Sequence, residues 1–260
     1  MIRVGVGGWT YAPWRGTFYP EGLKQAEELA YAASKLTAIE INGTFYRTQS
    51  ATSFAKWRDE TPDGFVFSVK GHRAVVNKKK LAEAGEALDW FFGSGVTELG
   101  AKLGPVLWQL APFKKFDADD LGAFLKLLPK EAGGLALRHA VEVRSKSYLN
   151  AAFVDLCRNH NAAIVYADSE EYPAIADVTA DFVYARLQRS AEDVATRYTA
   201  EGLDGWATRS KTWAAGGEPD DLPRFGTKHA PKKKRDVFVF MIAGDKVRAP
   251  AAATALIERL

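Results

Sequence analysis

Apolar and polar positions along this chain follow two different periods in turn. In the stretch from Ala38 to Asn42 they alternate with period two, which is typical of a β-strand. Between Leu23 and Leu36, by contrast, Leu29 and Ala33 recur at the spacing of one helical face. Eight segments have the strand pattern, at 3–7, 38–42, 65–70, 103–110, 140–144, 162–167, 181–186 and 237–242. Helical patterns or mixed helix and loop separate them, and an Ala-rich helix ends the chain near Leu260.

This alternation of strand and helix predicts a parallel sheet, because a crossover helix is the usual link between parallel strands. Eight strands are the closing number of a (β/α)8 barrel, and 260 residues is close to the usual size of that fold, about 250. We therefore predict an α/β protein with a single TIM-like (β/α)8 barrel domain over residues 1–260. A doubly wound open sheet is the disfavoured alternative.

Polar side chains gather at the carboxyl ends of the predicted strands. The outward face of a barrel strand packs against helices and must be apolar, which assigns the residues of the other parity to the interior. Burying such groups without partners costs roughly 1 to 3 kcal/mol each, so they must pair or line a pocket. The residues predicted to point inward are Glu40, Asn42, Ser68, Lys70, Gln109, Glu142, Arg144, Tyr166, Asp168, Tyr184 and Arg186.

Two interpretations of these inward-pointing polar side chains remain open. In the first, Glu40 and Glu142 are only counter-ions that hold the barrel mouth rigid. In the second, they perform acid/base catalysis with Lys70 as their electrostatic partner, since active sites of this fold lie at the carboxyl ends of the strands. The residues assigned to substrate binding are Asn42, Tyr46, Gln109, Arg144, Arg186, Trp9, Tyr11 and His72, with Arg144 and Arg186 as anion clamps.

The loops that follow the strands are rich in cations, which favours an anionic ligand such as a phosphate ester or nucleotide. The cations are Arg73, Lys78, Lys79, Lys80, Lys114, Lys115, Lys146 and Arg189, against Asp117, Glu170 and Glu171. The whole chain has a formal net charge of only +3, so bulk attraction to nucleic acid is not implied. The leading hypothesis is thus a hydrolase or lyase acting on a small anion. A nucleic-acid-binding module and a non-catalytic scaffold are the alternatives.

Loop aromatics and the remaining motifs add less. Trp9, Tyr11, Phe45 and Tyr46 either stack on a ligand or pack a loop against the barrel, and Trp14 and Phe18 are expected to be structural. The basic run 231–235 precedes the eighth strand, so we expect a solvated charge run on the opposite face of the barrel.

Several classes of chemistry are disfavoured. The chain lacks a P-loop, a Gly-x-Ser-x-Gly elbow and a Gly-x-Gly-x-x-Gly motif. One cysteine, Cys157, excludes an internal disulfide and fits a reducing cytoplasm. The chain begins with a predicted strand rather than a signal segment, and no apolar stretch has membrane-spanning length. No cofactor is evident; a divalent metal held by Glu40, Glu142, Asp168 and His72 is a minor alternative without a local ligand motif.

Five blocks of sequence resemble the DUF72 family, also called YecE-like proteins. They are Gly-Gly-Trp-Thr-Tyr-Ala-Pro-Trp-Arg-Gly-Thr-Phe-Tyr-Pro (7–20), Glu-Ile-Asn-Gly-Thr-Phe-Tyr-Arg (40–47), Phe-Val-Phe-Ser-Val-Lys (65–70), Leu-Gly-Pro-Val-Leu-Trp-Gln (103–109) and Glu-Val-Arg (142–144). Tyr-Ala-Arg-Leu at 184–187 looks like a further block. The resemblance implies a cytosolic β/α barrel and supplies no activity, as none is established for the family.

Two positions depart from the pattern of the family. Val76-Asn77 stands where the family usually has a Thr-His pair after the third strand, and Ile242-Ala243 stands where it usually has two Asn residues after the eighth. The first change removes an imidazole and the second removes two amides from the expected mouth. If those groups take part in the chemistry of the family, the resemblance implies an altered or inactive member.

Overall fold

Eight parallel strands form a closed barrel in the computed structural model, which describes residues 1–191 and 193–260. Each strand is hydrogen-bonded to its neighbours in chain order, and the first pairs with the eighth to close the ring. This confirms the predicted (β/α)8 barrel. The strands are β1 (Ile2–Gly7), β2 (Ala38–Ile41), β3 (Val66–Lys70), β4 (Leu103–Gln109), β5 (His139–Glu142), β6 (Ala163–Asp168), β7 (Phe182–Leu187) and β8 (Asp236–Met241).

Residues 169–181 link β6 to β7 without a helix, and a short helix directly after β3 is additional to the predicted pattern. Elsewhere helices surround the barrel in the order that the sequence predicts. They are α1 (Glu28–Lys35), α2 (Ala51–Asp59), α3 (Arg73–Val76), α4 (Gly85–Gly93), α5 (Ala118–Leu127), α6 (Ala151–Asn159), α7 (Ala200–Ala214) and α8 (Ala249–Ile257). Short 3₁₀ helices occupy Ala12–Trp14, Gln25–Glu27, Gly43–Phe45, Leu81–Glu83, Val96–Lys102 and Lys146–Tyr148, and a small antiparallel hairpin joins Glu131–Ala132 to Leu135–Ala136. Among the helices of the described ranges, none is long and apolar enough to cross a membrane.

Side-chain caps fix where several helices begin. The side chains of Ser50, Asp117, Asn150 and Thr199 each accept a hydrogen bond from a backbone N–H in the first turn of the helix that follows. Such a cap satisfies an amide that the helix itself leaves unpaired and is worth about 1 kcal/mol. The loops between these helices and the strands before them are therefore held at both ends.

The core has two layers, one inside the barrel and one between the sheet and the helices. The interior is filled by aromatic and small residues, including Phe182, Tyr184, Phe238 and Phe240. The outer layer is larger and contains Trp108, which packs against aromatic rings of α4 and α5. Five of the six strands with predicted inward polar groups follow the predicted parity.

Strand β6 is the exception, and the prediction that Tyr166 and Asp168 point inward is wrong. Val165 lies beside Tyr184 in the parallel ladder and shares the interior with it, so Tyr166 has the outward parity. The Tyr166 ring packs against Trp206 and Trp213 of α7. The parity rule assigned polar residues to the interior, and β6 departs from it because Asp168 has its partners, Tyr198 and Arg189, on the outer side.

The basic run that precedes β8 also differs in part from expectation. Lys232, Lys233 and Lys234 are exposed, as predicted, but Arg235 is buried and its guanidinium donates to four backbone carbonyl groups. Its delocalised charge and fixed fork of donors suit this carbonyl cage, whereas a lysine ammonium is more strongly hydrated. Arg235 therefore anchors the segment that leads into β8.

Candidate functional site

A buried group of charges lies across the barrel interior. The guanidinium of Arg186 on β7 donates from Nε and Nη2 to the two carboxylate oxygens of Glu40 on β2, at 3.1 and 3.0 Å. Its third nitrogen, Nη1, donates to Glu142 on β5. All three side chains are essentially inaccessible to solvent. This arrangement is a charge-assisted, bidentate pair extended to a second carboxylate, the geometry in which arginine binds most strongly.

Tyr184 and Ser68 complete this group, which we call the ion-pair layer (Glu40, Ser68, Glu142, Tyr184 and Arg186). The hydroxyl of Tyr184 donates to Glu40 at 2.6 Å and lies 2.7 Å from the hydroxyl of Ser68. Ser68 in turn donates to the carbonyl oxygen of Pro105 at 2.9 Å. Burial, followed by the charge of Glu40, raises the pKa of Tyr184 well above its ordinary value. The phenol therefore stays protonated and serves as a donor.

A second group lies beside the first, nearer the solvent, and we call it the mouth layer (Lys70, Gln109, Arg144 and Tyr172). The ammonium of Lys70 donates to the Gln109 side chain at 2.8 Å, and the amide of Gln109 donates to Glu142 at 3.0 Å. Arg144 donates from Nε to the same Glu142 oxygen at 2.9 Å and stacks over the ring of Tyr172 at 4.1 Å. Glu142 is thus the point where the two layers meet.

Glu142 and Lys70, one from each layer, differ in how they titrate near neutral pH. Burial alone would raise the pKa of Glu142, but the charges of Arg186 and Arg144 outweigh it and hold that pKa at about 2. Burial, followed by the charge of Arg186, lowers the pKa of Lys70 to about 8. Glu142 is therefore a fixed anion near neutral pH, while Lys70 can gain or lose a proton there.

The loop after β2 contacts both the backbone and the side chain of Lys70. The buried hydroxyl of Thr44 donates to the carbonyl oxygens of Ile41, at 3.0 Å, and of Lys70, at 2.6 Å, and so ties this loop to the end of β3. The ring of Phe45 lies 4.4 Å from the Lys70 ammonium. Tyr46 is 66% exposed, and Asn42 is half-buried, with its amide 3.5 Å from the carbonyl oxygen of Glu40.

The aromatics of the first loop are placed outside this group. Trp9 packs edge-on against Trp57 of α2 and Phe67 of β3, in the layer between sheet and helices. Tyr11 packs against the buried Trp14 and lies 4.4 Å from the ammonium of Lys246. The expectation that Trp14 is structural agrees with its complete burial and with its hydrogen bond to the carbonyl oxygen of Lys246.

The four ligands of the alternative metal site do not converge on one point. His72 caps α3, with its Nδ1 accepting from the amide of Ala74, and its ring packs against Trp90. Asp168 accepts from Tyr198 and pairs with Arg189 on the outward side of β6. Over the described ranges, no three His, Cys, Asp or Glu side chains are placed to share a metal ion. Glu40 and Glu142 have arginine partners instead.

Two positions that differ from the family pattern are apolar or exposed here. Val76 is fully buried in the outer core, and Asn77 is exposed beside the lysines that follow α3. Ile242 has the inward parity at the end of β8, where Gly7 gives it room, since a side chain at Gly7 would lie 2.9 Å from Ile242 Cδ1. The end of β8 therefore presents an apolar side chain to the mouth.

Sequence reasoning missed two residues at the mouth, Tyr172 and Lys246. Tyr172 lies 28 residues from Arg144 along the chain, and no strand-end rule assigns a function to a residue that far into a loop. Lys246 lies beside a pocket of about 180 Å³ that Gly7, Asn42 and Ile242 also line. The indole of Trp14 donates a hydrogen bond to the carbonyl oxygen of Lys246, and this contact depends on the pairing of β1 with β8. The order of residues along the sequence does not show that pairing.

Known proteins resemble this chain in sequence and in fold. The UPF0759 protein YunF of Bacillus subtilis is 26% identical over 160 residues, which is 60% of this chain. The match spans 55% of the length of that relative. A DUF72 family protein from Thermotoga maritima has a crystal structure that superposes with a TM-score of 0.75 at 22% identity, covering 99% of this chain and 98% of that one.

A second solved structure, a DUF72 family protein from Enterococcus faecalis, gives a TM-score of 0.72 at 16% identity over 100% of this chain and 94% of that chain. At such identities these structures show the shared fold alone. The family model described as "Protein of unknown function DUF72" matches residues 3–260. Because that match covers nearly the whole sequence, the chain belongs to the DUF72 family.

Proposed function

We propose that this protein is an enzyme that acts on a small anionic substrate, phosphorylated or nucleotide-like, by acid/base chemistry at the carboxyl-terminal mouth of the barrel. In this proposal Lys70 transfers the proton and Arg144 binds the anion. Glu142, Glu40 and Arg186 form a fixed platform that orients them. The observation that supports it best is a lysine with a pKa near 8, held beside an arginine at the site where barrel enzymes perform their chemistry.

The balance of charge supports an anionic substrate. Two carboxylates, Glu40 and Glu142, face three cations, Arg186, Arg144 and protonated Lys70. The ion-pair layer alone has one negative charge in excess, and the two cations of the mouth layer turn this into an excess of one positive charge for the whole group. A cation that is partly buried interacts with an incoming anion through a lower effective dielectric than a lysine on the open surface does.

Lys70 suits proton transfer better than either glutamate. A general acid or base is most effective when its pKa lies near the working pH, and the Lys70 pKa of about 8 meets that condition. The Glu142 pKa of about 2 leaves almost no protonated form at neutral pH. All three nitrogens of Arg186 donate to carboxylates, so we assign the anion to Arg144, whose side chain is 22% exposed.

The test compares Lys70→Met with Lys78→Met, which removes a lysine from a mouth loop outside the proposed site. Binding of inorganic phosphate is measured by calorimetry, and turnover of a panel of phosphate esters is measured against pH. We expect Lys70→Met to weaken phosphate binding at least about tenfold and to abolish turnover, while Lys78→Met stays close to the parent. Equal behaviour of the two variants would refute the assignment, and so would a pH profile without a limb near 8.

A groove beside the mouth supports a second candidate, binding of single-stranded nucleic acid. The groove has a volume of about 820 Å³, and its lining includes Lys78, Lys79, Lys80, Lys115 and Phe113. The Phe113 ring is 72% exposed, as expected of a ring on which a base could stack. Lys114, by contrast, is buried and donates to the carbonyl oxygens of Lys78 and Lys79, so it shapes the groove.

The salt dependence of binding tests this second candidate. Binding of a short oligonucleotide that forms about four phosphate contacts should weaken by roughly tenfold or more between 50 and 200 mM salt. Phe113→Ala should reduce affinity by the roughly 1 to 3 kcal/mol that one stacked base contributes. An affinity that neither salt nor this substitution changes would exclude the candidate.

A further inference from the structure

A second cavity lies at the opposite end of the barrel from the mouth, and we call it the basal cavity. It has a volume of about 700 Å³. Its wall includes His139, the first residue of β5, together with Ala162 and Asp181, which directly precede β6 and β7. The volume falls in the range of small-molecule sites, about 300 to 1,000 Å³.

The floor of the basal cavity is apolar. Leu125 and Leu128, at the end of α5, are buried, and so is Ala162. His139 also lies in the wall, but its ring is already engaged: Nδ1 accepts from Trp108 at 3.1 Å, and Nε2 therefore carries the proton and donates to the carbonyl oxygen of Pro129 at 2.7 Å. The floor thus offers contact area to an apolar group rather than hydrogen bonds.

The rim of the same cavity is cationic. Lys126, Lys130 and Arg138 line it, with Asp181 as the acidic residue of the lining. Arg138 is neutralised by Asp236, to which it donates at 2.9 Å. Within residues 1–191 and 193–260 neither Lys126 nor Lys130 forms an ion pair. Set against the one carboxylate of Asp181, the two lysines leave the rim with a net positive charge.

The pKa of His160 is affected by the same two lysines. This residue lies in the wall of the cavity, just beyond the end of α6. Burial lowers the pKa of His160, and the charges of Lys126 and Lys130 lower it further. The two ammonium groups are thus close enough to influence the imidazole, and an anion placed among the three would reverse that influence.

We propose that the basal cavity binds a small organic phosphate, with its phosphoryl group between Lys126 and Lys130 beside His160 and its apolar body on Leu125, Leu128 and Ala162. Lysine ammonium groups bind phosphate as compact point charges, and the apolar floor supplies the remaining contact. This site is separate from the mouth layer and does not depend on the reaction proposed there.

The experiment uses phenyl phosphate, which joins a phosphate to an apolar ring. The protein is titrated with it while the ring resonances of His160 are followed by NMR at several pH values. We expect the His160 pKa to rise on saturation, because the bound dianion favours the imidazolium form. Inorganic phosphate should bind at least about tenfold more weakly, since it cannot use the apolar floor.

Variants localise the binding. Lys126→Gln with Lys130→Gln should weaken phenyl phosphate binding at least about tenfold, and both side chains are exposed, so the fold should tolerate the change. Lys70→Met, at the mouth, should leave the His160 response unchanged. The proposal is overturned if the double variant keeps its affinity, if the His160 pKa does not move, or if inorganic phosphate binds as tightly as phenyl phosphate.

Discussion

The ion-pair layer and the mouth layer each contain an arginine and a tyrosine, yet their charges have different surroundings. In the ion-pair layer each nitrogen of Arg186 faces a carboxylate oxygen and the whole group is sealed from solvent. In the mouth layer Lys70 is bonded to a neutral amide, Gln109, and keeps its charge available. The difference lies in how completely each cation is paired: Arg186 has two carboxylate partners, whereas Arg144 has one. The proposed function assigns the chemistry to the less completely paired layer.

Glu142 connects the two layers through its hydrogen-bond partners. Glu142 is held at one oxygen by Arg186, below, and at the other by Gln109 and Arg144, at the mouth. In the proposed function its negative charge orients the mouth layer, and Lys70 rather than Glu142 transfers the proton. The deeper layer thus serves as a support for the shallower one.

The largest effect should follow removal of the central arginine. Arg186→Met leaves Glu40 buried without a cation and leaves Glu142 with Arg144 alone. We expect a loss of roughly 3 to 5 kcal/mol in the free energy of unfolding, measured by urea denaturation. Arg144→Met is the matched control. Because Glu142 keeps Arg186 in that variant, its loss should be less than half as large. Similar losses in the two variants would contradict the distinction between the layers.

A smaller effect is expected on acidification, through Glu142. Its pKa in the folded protein, about 2, lies below the ordinary glutamate value, so the carboxylate stabilises the fold above pH 4.5 and loses that contribution as the pH falls towards 2. The part lost is on the order of 3 kcal/mol. Glu142→Gln should be less stable at pH 7 and should lose less between pH 4.5 and 2. A parallel acid dependence in parent and variant would show that another group titrates.

Lys70 should also make stability rise with pH, and we expect a smaller effect because Lys70 is 8% exposed whereas Glu142 is fully buried. Its folded pKa of about 8 lies below the ordinary lysine value, so the unfolded chain binds more protons between about pH 8 and 10.5 and stability rises with pH over that window. Lys70→Met removes this rise, which thermal unfolding at pH 7, 8 and 10 would detect. The window lies in the alkaline range, so it does not overlap the one assigned to Glu142. A rise that persists in Lys70→Met would assign it elsewhere.

The smallest effect should come from Tyr172→Phe. This change removes the 3.3 Å hydrogen bond from Arg144 to the phenol but keeps the ring on which the guanidinium stacks. We expect less than about 1 kcal/mol in stability and less than a fivefold change in phosphate binding. Tyr172→Ala, which also removes the ring, should weaken phosphate binding further. If Phe and Ala have the same effect, stacking does not position Arg144.

The barrel itself was predictable because apolar residues recur along each strand and helix with the period of that element. The same local pattern predicted that the side chains of Glu40, Lys70, Glu142 and Arg186 point into the barrel. An apolar outer face forces the residues of the other parity inward. The rule failed at β6, where the polar residues Tyr166 and Asp168 lie on the outward face and have their partners there. There the position of α7 decides, and that is a property of the fold.

The division into layers was not predictable from the sequence. Glu40 and Glu142 look alike as strand-end carboxylates, and only the distances around Arg186 show that both are consumed in pairing. Tyr172 and Lys246 reach the mouth through loops whose paths depend on tertiary packing. The assignment of the catalytic role to Glu142 or to Lys70 is therefore a question of environment, which periodicity does not encode.

The reach of Arg186 has a consequence for how the chain folds. Its carboxylate partners lie on β2 and β5, and the contact with Glu40 closes a loop of 146 residues. Such distant contacts form only after a large loss of chain entropy, and here they also require both halves of the barrel. Half of the molecule alone would bury Glu40 without its cation. Folding should therefore be all-or-none, with the last strands of the chain completing the electrostatic centre that the first ones begin.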